Sequence, residues 1–406
     1  MAVESAGFRP LLFNELAPRA CETLALNRAI PVGEGCLPTI PAPGERPPLV
    51  IGDVTKVDFE YLRPHKVDVL AGGPPCQPFS LGGTARGDED DRNGFPHMFR
   101  AIREMRPKAV ICENVRGLLR PSFSPYFDYI KRELSLPFKQ RTEGTHWSAH
   151  DAILRKLVES ADIAEKERYD VAHFPVNAAD YGVPQIRKRV IIVAFRRDLG
   201  VDLSRFAGLV APTHCEESLH KELRDGTYWK RHGMTPGGRV PASVVRQLPD
   251  QRPIPLSDDG KPLKPWRTLR DALQGSGDQL PLPDIPPNRL DRTEFKPGEF
   301  TDHIGWPDAR IYPGHTPNEL DKPAKTVKAG VHGVPGGESV MLRDDGTHRY
   351  MTVRETARVM TFPDDWALAG PRGEKMRQLG NAVPVLLGKV FADAVATVLD
   401  EAESTG

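Results

Sequence analysis

Short apolar segments alternate with amphipathic stretches over residues 8–200. This alternation is typical of an α/β protein with a parallel sheet, because each buried strand is followed by a helix that returns the chain. The predicted strands are 10–15, 49–53, 67–71, 109–113, 171–177 and 190–195, and the predicted helices are 18–28, 95–106 and 148–164.

The alternation stops near residue 205, and Pro, Gly, Arg and His become more frequent up to about residue 340. Helical patterning then returns. Thr352 can cap a helix and Glu355, three residues later, completes a capping box, while 385–399 is amphipathic. The pattern predicts an α/β domain over 1–204, a less regular region over 205–340, and a return to the first domain over 341–406. Residues 115–170 are interpreted as an insertion without an assigned function.

Composition limits the protein class. The chain has 406 residues, enough for two domains, and its 39% hydrophobic and 27% charged residues are typical of a globular protein. No apolar run approaches the roughly 18 residues that span a membrane, and the N-terminus lacks the pattern of a signal peptide. The net charge of zero does not by itself predict binding to nucleic acid.

The five cysteines are widely spaced, form no metal-ligand pattern and suggest no disulfide framework, which favours a cytoplasmic location and no metal site. One of them, Cys76, stands in the string Gly-Gly-Pro-Pro-Cys-Gln-Pro-Phe-Ser at 72–80. The preceding strand must break into a loop at these glycines and prolines, and the carboxyl edge of an α/β sheet is where ligands bind. Cys76 is therefore a candidate nucleophile, and the alternative is a free cysteine that only packs in a turn.

Three further strings follow in order: Glu-Asn-Val at 113–115, Gln-Ile-Arg-Lys-Arg at 185–189 and Gly-Asn-Ala-Val-Pro at 380–384. Together with the Cys76 loop, they resemble the motifs of DNA cytosine-5 methyltransferases, over nearly the whole chain. The resemblance implies a Rossmann-like, S-adenosylmethionine-dependent methyltransferase sheet with a smaller, irregular target-recognition domain at 205–340.

The resemblance also implies covalent catalysis, in which Cys76 adds to carbon 6 of cytosine and carbon 5 then attacks a methyl donor. Glu113 would neutralise the charge that develops on the ring at N3, with burial keeping it protonated. Arg187 and Arg189 alternate on an extended segment, so we expect both to face the base and the catalytic loop. The alternatives are a carboxylate that caps the next segment and a basic surface strand.

The implied cofactor is S-adenosyl-L-methionine. Glu15 ends an early strand, where an acid takes the ribose hydroxyls, and Asp53 ends the next and would take the adenine amino group. Pro75 and Asn381 match further cofactor positions. The implied partner is double-stranded DNA, whose target base must be flipped out, and the Gly-rich stretch 82–88 could close over it.

One family feature is not found. The Phe-x-Gly-x-Gly-Gly loop and its strand should lie about 20 residues before Glu15, but the only glycine upstream is Gly7. Losing that central strand would expose neighbouring strand edges. A start codon upstream of Met1, a separate chain that supplies the strand and loop, or a form that binds DNA without catalysis would each explain this.

Four functions therefore remain open. The first is a DNA cytosine-5 methyltransferase of a restriction-modification or phage-defence system, acting with other defence proteins. The others are a catalytically silent DNA-binding subunit, an RNA cytosine-5 methyltransferase, and a thiol enzyme unrelated to methylation.

Overall fold

The computed structural model describes residues 1–33, 38–75, 93–160, 162–234, 242–275, 279–285, 300–311, 316–329 and 339–405. Contacts divide the chain into two compact units. Unit 1 consists of Met1–Val176, Lys188–Val210 and Lys389–Gly406, and unit 2 consists of Asn177–Arg187 and Ala211–Gly388.

Unit 1 contains the predicted strand and helix alternation. All six predicted strands and all three predicted helices are present, with bounds that differ by up to three residues for the strands and up to seven for the helices. A short extra strand, β2, pairs beside β3. The strands are β1 (Phe13–Glu15), β2 (Ile30–Val32), β3 (Pro48–Ile51), β4 (Val69–Gly72), β5 (Ala109–Val115), β6 (Tyr169–Asn177) and β7 (Lys188–Arg196). The helices are α1 (Ala2–Ser5), α2 (Pro18–Asn27), α3 (Phe95–Met105), α4 (Ser124–Ser135), α5 (Trp147–Leu157) and α6 (Leu203–Leu209).

These strands form two sheets. The order of one is β1-β3-β2, all parallel, and the order of the other is β4-β5-β7-β6. Among the residues that the structure describes, β1 pairs with β3 alone and β4 pairs with β5 alone. One apolar cluster nevertheless joins the two sheets, because Val50 of β3 and Leu70 of β4 both pack against it.

The prediction of an entirely parallel sheet is wrong for β7. β4 and β5 are parallel, but β5 and β7 are antiparallel, with Glu113 opposite Ile191 and Val115 opposite Arg189. The apolar run that marks a buried strand is the same in both directions, so the sequence pattern predicts the strand but not its orientation.

The main core of unit 1 lies against the four-stranded sheet. Helix α3 contributes Phe95, Phe99 and Ile102 at helical spacing, and all three are at most 2% exposed. Helix α4, from the segment interpreted as an insertion, contributes Ile130 and Leu134 to the same cluster. This part of 115–170 is therefore integral to the core.

Helix α5 ends at Leu157, seven residues before the predicted end at residue 164. The buried guanidinium of Arg168 donates to the carbonyl oxygens of Val158, Ser160 and Ile163. An arginine five to ten residues further along the chain thus satisfies carbonyls after the last helical turn.

Unit 2 has short elements, as the low regularity of its sequence predicts. The predicted capping box is confirmed: Thr352 accepts from the Glu355 backbone N–H, and the Glu355 carboxylate accepts from that of Thr352. The strands are β8 (His214–Cys215), β9 (Lys264–Pro265), β10 (Asn318–Glu319), β11 (Val340–Leu342) and β12 (His348–Tyr350). The helices are α7 (Glu216–Asp225), α8 (Thr227–Arg231), α9 (Ala242–Gln247), α10 (Leu269–Gln274), α11 (Val353–Val359) and α12 (Arg372–Asn381).

The last helix, α13 (Val385–Thr405), covers the predicted amphipathic helix and extends beyond it. The helical stretch Arg372–Ser404 is long and apolar enough to cross a membrane, and an 18-residue window within it has a mean hydropathy of 1.8. The stretch also packs inside the protein, since Phe391 contacts the rings of Phe174 and Phe206. Its apolar character is therefore that of a core helix.

Candidate active site

Cys76 and the Gly-rich stretch 82–88 lie outside the described residues, but the chain on either side of them is described. The Gly94 backbone N–H donates to the Pro75 carbonyl at 2.8 Å. A Cβ on Gly94 would lie 2.7 Å from Pro75 Cδ, so a larger residue does not fit there. The two flanking points of the Cys76 segment are therefore held against each other by backbone contact.

Glu113 and Arg189 form an ion pair next to the residues that lead to Cys76. Arg189 Nε lies 2.7 Å from Glu113 Oε1, and the two side chains are 14% and 16% exposed. A Cβ on Gly73 would lie 3.5 Å from the other carboxylate oxygen. Burial lowers the pKa of Arg189 and the Glu113 carboxylate opposes that shift.

Asn114 links the end of β5 to the same segment. Its amide Nδ2 donates to the Pro74 carbonyl at 3.1 Å, while its Oδ1 accepts from the Val115 N–H. Asn114 is 4% exposed. The Asn114 side chain thus links the end of β5 to the chain that leads to Cys76.

Arg187 differs from Arg189 in its surroundings. In unit 2 its guanidinium is buried, 1% exposed, and donates to the carbonyls of Val327, Gly380 and Ala382. The expectation that Arg187 and Arg189 both face the base stays a prediction, and strand β7 begins only after Arg187. Convergent backbone carbonyls, which are distant in sequence, determine the orientation of this side chain.

The Gly-Asn-Ala-Val-Pro motif packs tightly within unit 2. A Cβ on Gly380 would lie 2.3 Å from the Ala329 backbone nitrogen. Only glycine permits this approach of the two backbone segments. Asn381 follows at the end of α12, and its side chain is exposed.

Glu15 and Asp53 lie at the same end of the three-stranded sheet. Glu15 is opposite Ile51, and the Gly52 N–H donates to the Glu15 carbonyl at 2.9 Å. Glu15 Oε1 accepts from the N–H groups of Leu16 and Ala17, which orients the carboxylate. The two acids are thus fixed on one edge, as their positions after neighbouring strands predict.

Asp53 caps a short 3-10 turn, Val54–Lys56, two residues beyond the end of β3. Hydrogen bonds from the Thr55 backbone N–H and hydroxyl lower the pKa of its exposed carboxyl group. Asp53 therefore stays ionised and remains open to solvent, which suits an acceptor for an amino group.

Two positioning residues were missed in the sequence. Asn93 Nδ2 donates to the Tyr126 hydroxyl at 2.6 Å, and both side chains are buried. Asn93 is the first described residue after the Cys76 segment. The Asn-Gly-Phe-Pro string at 93–96 signals a turn into a helix, but nothing local indicates a tyrosine partner 33 positions later.

Known proteins resemble this chain over most of its length. A sequence profile described as C-5 cytosine-specific DNA methylase matches residues 1–136, 149–252 and 281–397. The chain is 29% identical over 408 residues to the Type II methyltransferase M.Eco47II of Escherichia coli, covering 99% of this chain and 76% of that protein. It is 26% identical over 470 residues to the DNA (cytosine-5-)-methyltransferase M.ApeKI of Aeropyrum pernix, covering 98% of this chain and 95% of that protein.

The fold agrees with the sequence comparison. A solved Escherichia coli structure, assigned as a prophage-encoded DNA modification methyltransferase, superposes with a TM-score of 0.52 at 20% identity, covering 98% of this chain and 95% of that one. This likeness supports the predicted methyltransferase fold. The profile match extends over most of the residues. The chain therefore belongs to the C-5 cytosine-specific DNA methylase family, whose members are DNA (cytosine-5-)-methyltransferases.

Proposed function

We propose that this chain transfers a methyl group from S-adenosyl-L-methionine to carbon 5 of a flipped-out cytosine in double-stranded DNA. The observation that carries the proposal is the placement of the Glu113–Arg189 pair beside Gly73, three residues before Cys76. Asn114 holds the intervening Pro74 carbonyl. A carboxylate and a guanidinium thus lie beside the chain that leads to the candidate nucleophile.

Each residue has a defined chemical task in this proposal. The Cys76 thiolate adds to carbon 6 of the cytosine, and carbon 5 takes the methyl group. Loss of the carbon 5 proton to a base then expels the Cys76 thiolate and restores the aromatic ring. Glu113 holds a proton at N3 while negative charge develops on the ring, and Arg189 offers N–H donors to the base carbonyl.

The acids of the three-stranded sheet fit the proposed cofactor. Glu15 is oriented for a ribose diol, and Asp53 is an exposed, ionised acceptor for an adenine amino group. Pro75 is proposed to line the same nucleoside, and Asn381 of unit 2 stays a predicted cofactor residue. When bound, S-adenosyl-L-methionine supplies an electrophilic methyl group on a sulfonium.

The test is transfer of labelled methyl from S-adenosyl-L-methionine to unmethylated duplex DNA. We expect incorporation as 5-methylcytosine, and none with Cys76→Ser, which keeps DNA binding. Duplex DNA with 5-fluorocytosine should trap a covalent complex with the wild-type chain. Methylation retained by Cys76→Ser would refute the thiol mechanism, while transfer to RNA alone would favour the RNA enzyme.

We further propose that 205–340 reads the target sequence, while 1–204 and 341–406 build the catalytic domain. Relatives such as M.Eco47II are named Type II methyltransferases, which supports our proposal of a role in restriction-modification, in the cytoplasm and beside other defence proteins. Mapping methylated positions in a plasmid would test this. A single recurrent site is expected, and scattered methylation without sequence preference would contradict it.

The pairing of β1 and β4 on one side alone favours a second possibility, that a separate chain completes the site. β1 and β4 each pair on one side alone in the described part of unit 1, although both sheets border one apolar cluster. An additional strand with its glycine loop would fit between such edges. This chain would then bind DNA and transfer methyl groups only with that partner. Methylation by the purified chain alone would exclude the requirement.

A further inference from the structure

Trp306 in unit 2 stands apart from the other tryptophans. It is 48% exposed, whereas Trp229 and Trp366 are 2% and 6% exposed and the remaining two are half-buried. A large aromatic side chain in water costs free energy, so an exposed and ordered one indicates a binding role.

The Trp306 ring packs against the guanidinium of Arg372. The Arg372 guanidinium carbon lies 5.1 Å from the Trp306 ring centroid and 5.5 Å from that of Tyr350. Arg372 also donates to the Met351 carbonyl at 3.2 Å, and the Arg310 N–H donates to the Tyr350 hydroxyl at 3.4 Å. The loop that carries Trp306 is therefore held by contacts at Trp306 and at Arg310, and the Trp306 side chain stays 48% exposed.

The charge around this stack favours a polyanion. Arg310 is exposed, and neither Arg310 nor Arg372 forms an ion pair with a carboxylate among the described residues. Burial lowers the pKa of Arg372, which still leaves a guanidinium charged at neutral pH. An aromatic face flanked by two unpaired guanidiniums combines stacking with attraction to phosphate.

We propose that Trp306 stacks on a nucleobase of the DNA substrate, with Arg310 binding an adjacent phosphate. This inference rests on the proposed function and extends it, because it selects one residue within 205–340 as a point of DNA contact. Arg372 is a positioning residue in this arrangement, since it acts through the Trp306 ring. Loss of the ring should weaken DNA binding without altering the Glu113–Arg189 pair, which lies in unit 1.

The test is the affinity of Trp306→Ala, Trp306→Phe and Arg310→Ala for labelled duplex DNA, measured by fluorescence anisotropy at several salt concentrations. We expect Trp306→Ala to weaken binding about 10-fold or more, and Trp306→Phe to retain most of the affinity. Leu256→Ala, an exposed apolar residue of the same unit, is the matched control and should bind like wild type.

Salt dependence separates the two contacts. Trp306→Ala should leave the slope of log affinity against log salt unchanged, because stacking releases no counterions, while Arg310→Ala should reduce it by about one. Trp306 fluorescence should also change on binding, seen as a DNA-dependent signal that Trp306→Phe lacks. Equal thermal melting of the variants would show that folding is intact.

The outcomes distinguish this inference from the proposed function. If the wild-type chain binds and methylates DNA but Trp306→Ala does so equally well, the inference is refuted and the function stands. If the wild-type chain binds no DNA, alone or with a completing partner, the proposed function fails and this inference with it.

Discussion

The guanidinium of Arg187 donates to the carbonyl oxygen of Gly380 at 2.8 Å, across 193 positions of sequence. Its other partners are the carbonyls of Val327 and Ala382. Arg187 of the Gln-Ile-Arg-Lys-Arg motif thus binds the Gly-Asn-Ala-Val-Pro motif inside unit 2. We call this set of hydrogen bonds the Arg187 clamp. A buried guanidinium is suited to this role, because its planar fork of N–H donors satisfies several carbonyls at once.

Arg187→Lys should therefore destabilise the protein. A lysine cannot satisfy three carbonyls in this geometry, and we expect a loss of about 2–3 kcal/mol in the free energy of unfolding. The measurement is a denaturant titration. Arg155→Lys, at a side chain that is 62% exposed, is the control and should change little. Equal stability of both variants would show that the Arg187 clamp contributes nothing to the free energy of unfolding.

Two glycines of helix α12 should respond oppositely to alanine. Gly380→Ala forces a Cβ to within 2.3 Å of the Ala329 nitrogen, and we expect it to destabilise the protein by about 1–3 kcal/mol. Gly373→Ala has no atom within 4 Å of the new Cβ, so it should be neutral or slightly stabilising. Thermal melts of both variants test the difference. Comparable melting temperatures would contradict the tight backbone approach.

Glu113→Gln should reduce methyl transfer at least about 100-fold, because the amide cannot hold a proton at N3. DNA affinity should remain near wild type, since the variant keeps the size of the side chain. Single-turnover assays with saturating DNA would separate the two effects. Glu104→Gln, which alters another ion pair of unit 1, is the matched control. A Glu113→Gln variant with normal turnover would remove Glu113 from the mechanism.

The buried pair of Glu355 and Arg349 should make stability depend on acid pH. Burial alone would raise the pKa of Glu355, but Arg349 and the Thr352 N–H lower it from 4.5 to about 2. A lowered carboxyl pKa adds stability that is fully present above the unfolded value. That stability is lost as pH falls from about 4.5 towards 2.

Glu355→Gln should abolish this contribution. Its unfolding free energy should be lower than wild type at pH 7, and the difference should shrink as pH falls below 4.5. Denaturant titrations between pH 7 and about 3 measure this. Glu374→Gln, at a side chain 34% exposed, is the control. A difference that stays constant over the range would mean that Glu355 does not titrate as expected.

The local pattern of apolar and polar residues predicted the strands and helices well. The alternating apolar segments predicted β1, β3 and β4 to β7 within a few residues, and Thr352 with Glu355 predicted the start of α11. Such features depend on neighbours within one or two helical turns. The order of the four motifs also identified the family before any fold was known.

Tertiary contacts determined the features that the local pattern did not predict. Arg168 binds carbonyls of the segment that follows helix α5, and the Arg187 guanidinium binds carbonyls of segments distant in sequence. No local pattern contains these partners. The Asn93–Tyr126 bond, which supports the chain beside Cys76, escaped prediction for the same reason.

The sequence by itself determined the family and the positions of its strands, and it supplied the candidate residues for the chemistry. Burial periodicity and motif chemistry are properties of neighbouring residues. Only the tertiary structure decided that β7 runs antiparallel to β5, that Glu113 meets Arg189, and that Arg187 clamps the segment around Gly380. Strand direction and side-chain partners depend on how distant segments satisfy each other's hydrogen bonds and charges, which only folding brings together.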